Sequence, residues 1–118
     1  MLGSRNQSSD QNNLPALFRT LRDATPFVRA AAVTGLRAVG EPAVPGLIVE
    51  LTTSDLGFVR ASAAQLLGEI PIESPELAAQ VVDALAAALA DEDEETRAHA
   101  AESLRAINTP QAQAVLGS

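Results

Sequence analysis

One phrase is written three times along this chain. Phe27-Val28-Arg29-Ala30-Ala31-Ala32-Val33 runs on to Leu36. Phe58-Val59-Arg60-Ala61-Ser62-Ala63-Ala64 runs on to Leu67, and Glu95-Thr96-Arg97-Ala98-His99-Ala100-Ala101 runs on to Leu104. The three arginines stand 31 and then 37 residues apart. Self-similarity at such a period is the mark of a solenoid, in which each unit covers its apolar face with the next.

Two kinds of helical segment alternate. The first kind, here the A type, contains the phrase. Val28, Ala32, Leu36 and Val39 recur at helical spacing, as do Val59, Ala63, Leu67 and Ile70, and Thr96, Ala100, Leu104 and Ile107. The second, or B type, is Leu14–Leu21, then Val44–Leu51, then Val82–Leu89 with an earlier start near Pro75. Each B segment is apolar at i, i+3, i+4 and i+7, which is a helix period rather than a strand period. Thr25-Pro26, Ser74-Pro75 and Thr109-Pro110 each place a hydroxyl before a proline, the signature of a helix N-cap followed by its first residue. Pro15 and Pro45 fit in first turns, so their helices are expected to start near Asn12 and Glu41. Gly40 and Pro71 end the preceding helices. The chain thus reads B, A, B, A, B, A, B, from an unpaired helix at 13–22 to a short one at 110–116. The fold expected is all-α, a right-handed α-solenoid of about three helix pairs over residues 13–118, after a flexible polar tail at 1–12.

Composition narrows the function. Fifteen acidic residues against eight basic ones give a net charge of −7. That balance lacks the positive footprint needed for nucleic acid or an anionic membrane surface. There is no cysteine, hence no disulfide framework and no thiolate metal site. No run approaches the ~18 apolar residues of a membrane span, and residues 1–12 lack the pattern of a signal peptide. A cytoplasmic location is expected.

The alternation of helix types resembles the HEAT repeat, in the short form named for phycobilisome-lyase HEAT-like proteins. The shared mark is an aspartate six residues before the arginine of helix A. Asp23 and Arg29 match it, as do Asp91 and Arg97; in the middle unit Ser54 holds that position and Asp55 comes one residue late. The resemblance implies that these Asp and Arg side chains hydrogen-bond backbone and one another across successive repeats. Asp23, Arg29, Arg60, Asp91 and Arg97 are therefore assigned to structure. An aspartate near a helix start suits the dipole, and arginine brings a planar five-donor fork.

Little in the chain carries chemistry. Asp91–Glu95 is the densest charge run, but it has no central glycine and no acidic twelfth residue in a loop, so it reads as a solvated turn rather than a calcium loop. His99 is the only histidine, and its counterparts Ala31 and Ser62 place it on an outward column with no nucleophile or second ligand beside it. No serine elbow and no glycine-rich phosphate loop is present. No catalytic, cofactor-binding or metal residue is expected, and no cofactor.

The B helices are more informative. Aligned on their leucine stripes, they set Ala16, Gly46 and Ala84 in one column, Arg19, Val49 and Ala87 in a second, and Thr20, Glu50 and Ala88 in a third. The resemblance puts B helices on the concave side, a small-residued groove with charge at Arg19, Arg22 and Glu50. The candidate partner-binding residues are Arg19, Arg22, Gly46, Val49, Glu50, Ala84 and Ala87. The expected function is a non-enzymatic protein-interaction or scaffolding module. The alternative, implied by the name of the resembled family, is an accessory subunit of a photosynthetic pigment–protein system, in phycobilisome chromophore attachment or antenna turnover. The partner is another protein, not nucleic acid, with no insertion into a membrane. The uncapped ends also suggest self-association.

Overall fold

The computed structural model describes residues 13–117; the polar tail at 1–12 lies outside the described residues. Among the described residues seven α-helices follow one another: α1 (Leu14–Leu21), α2 (Pro26–Val39), α3 (Val44–Thr53), α4 (Gly57–Glu69), α5 (Pro75–Ala88), α6 (Glu94–Ile107) and α7 (Pro110–Gly117). No strand occurs among the described residues. The A-type helices are α2, α4 and α6, and the B-type are α1, α3, α5 and α7, in the order expected.

The boundaries follow from local chemistry. Gly40, at φ 80°, ends α2 with a backbone geometry that favours glycine. Ile70 ends α4 in an extended conformation, as the residue before Pro71 should. Ser74 accepts a hydrogen bond from Leu77 N (3.2 Å) and Thr109 from Ala112 N (3.2 Å), so both cap as expected. Thr25 does not: its side chain makes no cap bond. Instead its own N–H donates to Asp23 Oδ1 at 2.8 Å, and the aspartate organises that turn. The start of α3 also differs from expectation. Glu41–Ala43 form a single 3-10 turn that runs directly into Val44. Pro42 and Pro45 each fall in the first turn of their own segment, so one proline-tolerant start follows another.

The helices stack in two layers, A on A and B on B, into a slab with principal extents of 51 × 32 × 19 Å. The thinnest dimension is that of two helices side by side, each about 10 Å across. The radius of gyration, 14.3 Å, exceeds the roughly 13 Å of a compact chain of ~100 residues, as expected of a short solenoid. Leu36, Leu67 and Leu104, one per phrase, are all fully buried between the layers. Leu21, Leu47 and Leu85 meet them from the B side, with Val44, Val59, Val81 and Val82 filling between. The stripe that repeats in the sequence is thus the hydrophobic seam of the stack.

Candidate functional site

Three B-helix columns were candidates for a binding surface, and the fold turns only one of them to solvent. Arg19 on α1, Val49 on α3 and Ala87 on α5 are exposed, Val49 at 53%. The other two columns roll toward the core. Ala84 is buried, and Gly46 is half-buried under the Phe18 ring, to which a Cβ would come within 2.6 Å. Glu50 is 8% exposed and Ala88 is buried. The Glu50 carboxylate is answered by Arg22, whose Nη2 donates to Oε1 and Oε2 at 3.0 Å each. Glu50 and Arg22 thereby tie α3 to α1. The free surface of this face reduces to a row of Arg19, Val49 and Ala87, with the solvent side of Arg22 at its margin.

The Asp–Arg motif builds the same turn in every unit. Arg29 Nη1 donates to Asp23 O (3.1 Å), Arg60 Nη1 to Ser54 O (2.9 Å) and Arg97 Nη1 to Asp91 O (2.6 Å). In each case the acceptor is the backbone carbonyl six residues back. The side chain at that position accepts the N–H two residues on: Asp23 Oδ1 from Thr25, Ser54 Oγ from Leu56, Asp91 Oδ1 from Asp93. Ser54 therefore does the turn's work in the middle unit. Asp55, one residue late, is simply exposed.

What Ser54 cannot do is reach back to the preceding unit, and Asp91 does. Asp91 Oδ2 accepts from Arg60 Nε at 2.9 Å and Oδ1 from Arg60 Nη2 at 3.0 Å, a two-toothed pair in which each side chain is 13% exposed. The Arg60 guanidinium, hydrogen-bonded to it, holds the Asp91 carboxyl below its ordinary range; the Asp93 N–H adds to this and burial opposes it. The same bond raises Arg60. At the first junction the arginine is met differently: the Arg29 guanidinium carbon lies 4.2 Å over the centre of the Phe58 ring.

In the acidic run 91–95, Glu92, Glu94 and Glu95 are exposed, while Asp91 and Asp93 are built into the turn. Asp91 is the structural acid just described, and Asp93 caps α6 by accepting from Thr96 N at 2.9 Å. Glu94 and Glu95 occupy the first turn, where the helix dipole favours negative charge. His99 is half-buried, not outward-facing, with Nδ1 at 3.3 Å from Glu102 Oε1. The close approach of α4 encloses it in a shallow cavity of about 180 Å³ with Gln65, Gly68 and Ser103. A second cavity of about 230 Å³ lies below the 70–74 loop, walled by Ile70, Ile72, Ala78, Val81 and Ile107. Among the described residues, no group of three His, Cys, Asp or Glu could hold a metal. No described helix is long and apolar enough to cross a membrane.

Three stacked helix pairs, each closed by the same arginine-to-carbonyl turn, agree with the outcome of comparison with known families. A family model of HEAT repeats matches residues 1–68 and again 44–118. The chain belongs to the HEAT repeat family. No curated protein matches it. HEAT repeats generally mediate protein–protein interaction and are typically non-enzymatic scaffolds. In this HEAT repeat protein, the sequence missed the Arg29–Phe58 stack, the Asp93 cap and the inward turn of Glu50. The first two had signals: an aromatic two residues before the repeated arginine, and an acid three before Thr96. Glu50 had none, because its role depends on Arg22 across the layer.

Proposed function

We propose that this HEAT repeat protein is a non-enzymatic interaction module that receives a partner on its B-helix face. The observation that carries the reading is Val49, a large apolar side chain left 53% exposed at the middle of that face. Arg19 and Ala87 flank it on neighbouring helices. An apolar centre bordered by a cation and small residues is the form of a modest protein-docking surface. Gly46, Glu50 and Ala84 then act from beneath, holding the B helices in place rather than touching the partner, while Arg22 anchors Glu50 and edges the surface. The finer assignments rest on the Asp–Arg spacing alone: that the repeats are of the phycobilisome-lyase HEAT-like form, and that the protein serves a pigment–protein system.

The test is affinity capture from the native host with the wild-type protein and with the Val49→Asp, Ala87→Glu double variant. Both substituted positions are exposed, so helicity by circular dichroism should be unchanged. Loss of the captured protein with retained helicity supports the B-face reading. An unchanged set of captured proteins removes it and turns attention to the A-helix face around Thr34, Gln65 and Glu102. Antenna proteins in the eluate, or visible absorbance from bilin bound by the pure protein, would favour the pigment-system role.

A further inference from the structure

The N-terminal edge of the A layer lies away from the B-helix face and has its own chemistry. Phe27, at the start of α2, is 86% exposed, the most exposed large apolar side chain described. Its counterpart one unit on is Phe58, whose ring sits under the Arg29 guanidinium. Asp23 likewise has a counterpart in Asp91, whose carboxylate grips Arg60. Each later unit thus meets the arginine of the unit before it with one group, a ring in the second unit and a carboxylate in the third. The first unit carries both. Asp23 is set by the same turn bond as Asp91, each Oδ1 accepting an N–H two residues on at 2.8 Å. Among the described residues, no cation is paired with Asp23 or stacked on Phe27.

We propose that Asp23 and Phe27 form a guanidinium clamp that takes an arginine presented by a helix of a cationic partner protein, docked on the N-terminal edge of α2. A planar guanidinium can donate in its plane to a carboxylate while offering its face to a ring, and an ammonium cannot do both. The chain's net charge of −7 favours a cationic partner and opposes a second copy.

Titration of the ¹⁵N-labelled full chain with argininamide, followed by amide shifts, tests the clamp. The shifts should cluster at residues 23–28, and lysinamide should bind at least about threefold more weakly. Asp23→Asn keeps the turn acceptor and Phe27→Ala removes an exposed ring, so both variants should fold. Each should weaken argininamide about threefold, whereas Asp55→Asn should leave it unchanged. Shifts spread evenly over the acidic turns, or surviving both substitutions, would overturn the clamp. Sedimentation showing self-association that disappears in Arg97→Ala would install a second copy in its place and overturn the partner assignment. Neither readout depends on Val49 or Ala87, so the clamp and the B-face reading stand or fall separately.

Discussion

The two junctions between A helices use the same phrase and differ in how close they come. At the second, α4 and α6 pack backbone to backbone along their length. Gly57, Ala61, Ala64 and Gly68 make a seam of small residues on α4, at spacings of one helical turn. Ser103 Oγ crosses it to donate to Ala64 O at 2.6 Å, and the Thr96 hydroxyl lies 2.7 Å from Asp93 Oδ2 and 3.3 Å from Gly57 O. At the first junction the corresponding α2 positions are Pro26, Ala30, Val33 and Arg37, and the helices stand further apart. That gap is bridged by longer side chains: Arg29 over Phe58, and Arg37 Nη2 to Glu69 Oε1 at 2.6 Å. One repeat pattern therefore supports a tight junction and a loose one, and four seam positions decide which.

The largest effect tests the part the junctions share. Leu67 is fully buried in the central unit, with units on both sides. Leu67→Ala should cost about 4 kcal/mol in urea unfolding. Leu36→Ala, beside the looser junction, should cost nearer 2 kcal/mol because its surroundings can close in, at about the lower end of such changes. Equal costs would mean the junctions are mechanically alike.

Next come the arginines. Arg60→Ala leaves the Asp91 carboxylate, 13% exposed in the intact pair, without its cation and should cost about 3 kcal/mol. Arg29→Ala, losing a ring contact and two carbonyl bonds at a more exposed site, should cost about 1 kcal/mol. The pair also has a pH signature. Asp91 is depressed in the folded state, so between its folded value and about 4, its unfolded value, the unfolded chain binds more protons. Stability from the pair is then complete above about pH 4 and is lost as pH falls through the folded value. Asp91→Asn should flatten that acid-side loss in unfolding midpoints measured between pH 2 and 6. An unchanged slope would mean the pair is not coupled to folding.

A smaller contrast concerns two glycines. A Cβ on Gly68 would come within 2.6 Å of Ser103 Cα, which is backbone and cannot turn aside. Gly68→Ala should cost about 2 kcal/mol by prising α4 from α6. A Cβ on Gly35 meets only the movable end of Leu17, Cδ2 at 2.7 Å. Gly35→Ala should be near neutral, since the ~1 kcal/mol gain in helix propensity offsets the crowding. The smallest effect would convert one junction toward the other. Ser54→Asp keeps the turn acceptor and offers Arg29 a carboxylate; it should add about 0.5 kcal/mol to the melting stability. A loss would show that the looser junction cannot bring the pair together.

Much of this was legible beforehand. Helix order, the buried leucines and the structural arginines all follow from a short-range period, and the turns reuse contacts two and six residues apart. The candidate surface was legible only in part. The columns of α1, α3 and α5 could be aligned, but a strip of alanines at helical spacing says little about how far each helix is rolled. Arg19, Val49 and Ala87 face solvent, while Glu50, Ala84 and Ala88 do not; on α3 the roll is held by Arg22, which bonds Glu50, and by Phe18, which lies against Gly46.

By itself, then, the sequence determined that this chain is an all-α stack of repeated helix pairs, since apolar stripes and proline or glycine stops act within a turn or two of chain. Tertiary structure alone decided how closely each repeated position is met. Arg60 finds a carboxylate 31 residues on and Arg29 a ring 29 residues on, although both belong to the same phrase. The group on offer is a matter of residue type, Ser54 and Phe58 in one unit and Asp91 in the next, but how near the helices come is set by side-chain volume at the seam, a property of two packed units and not of either one.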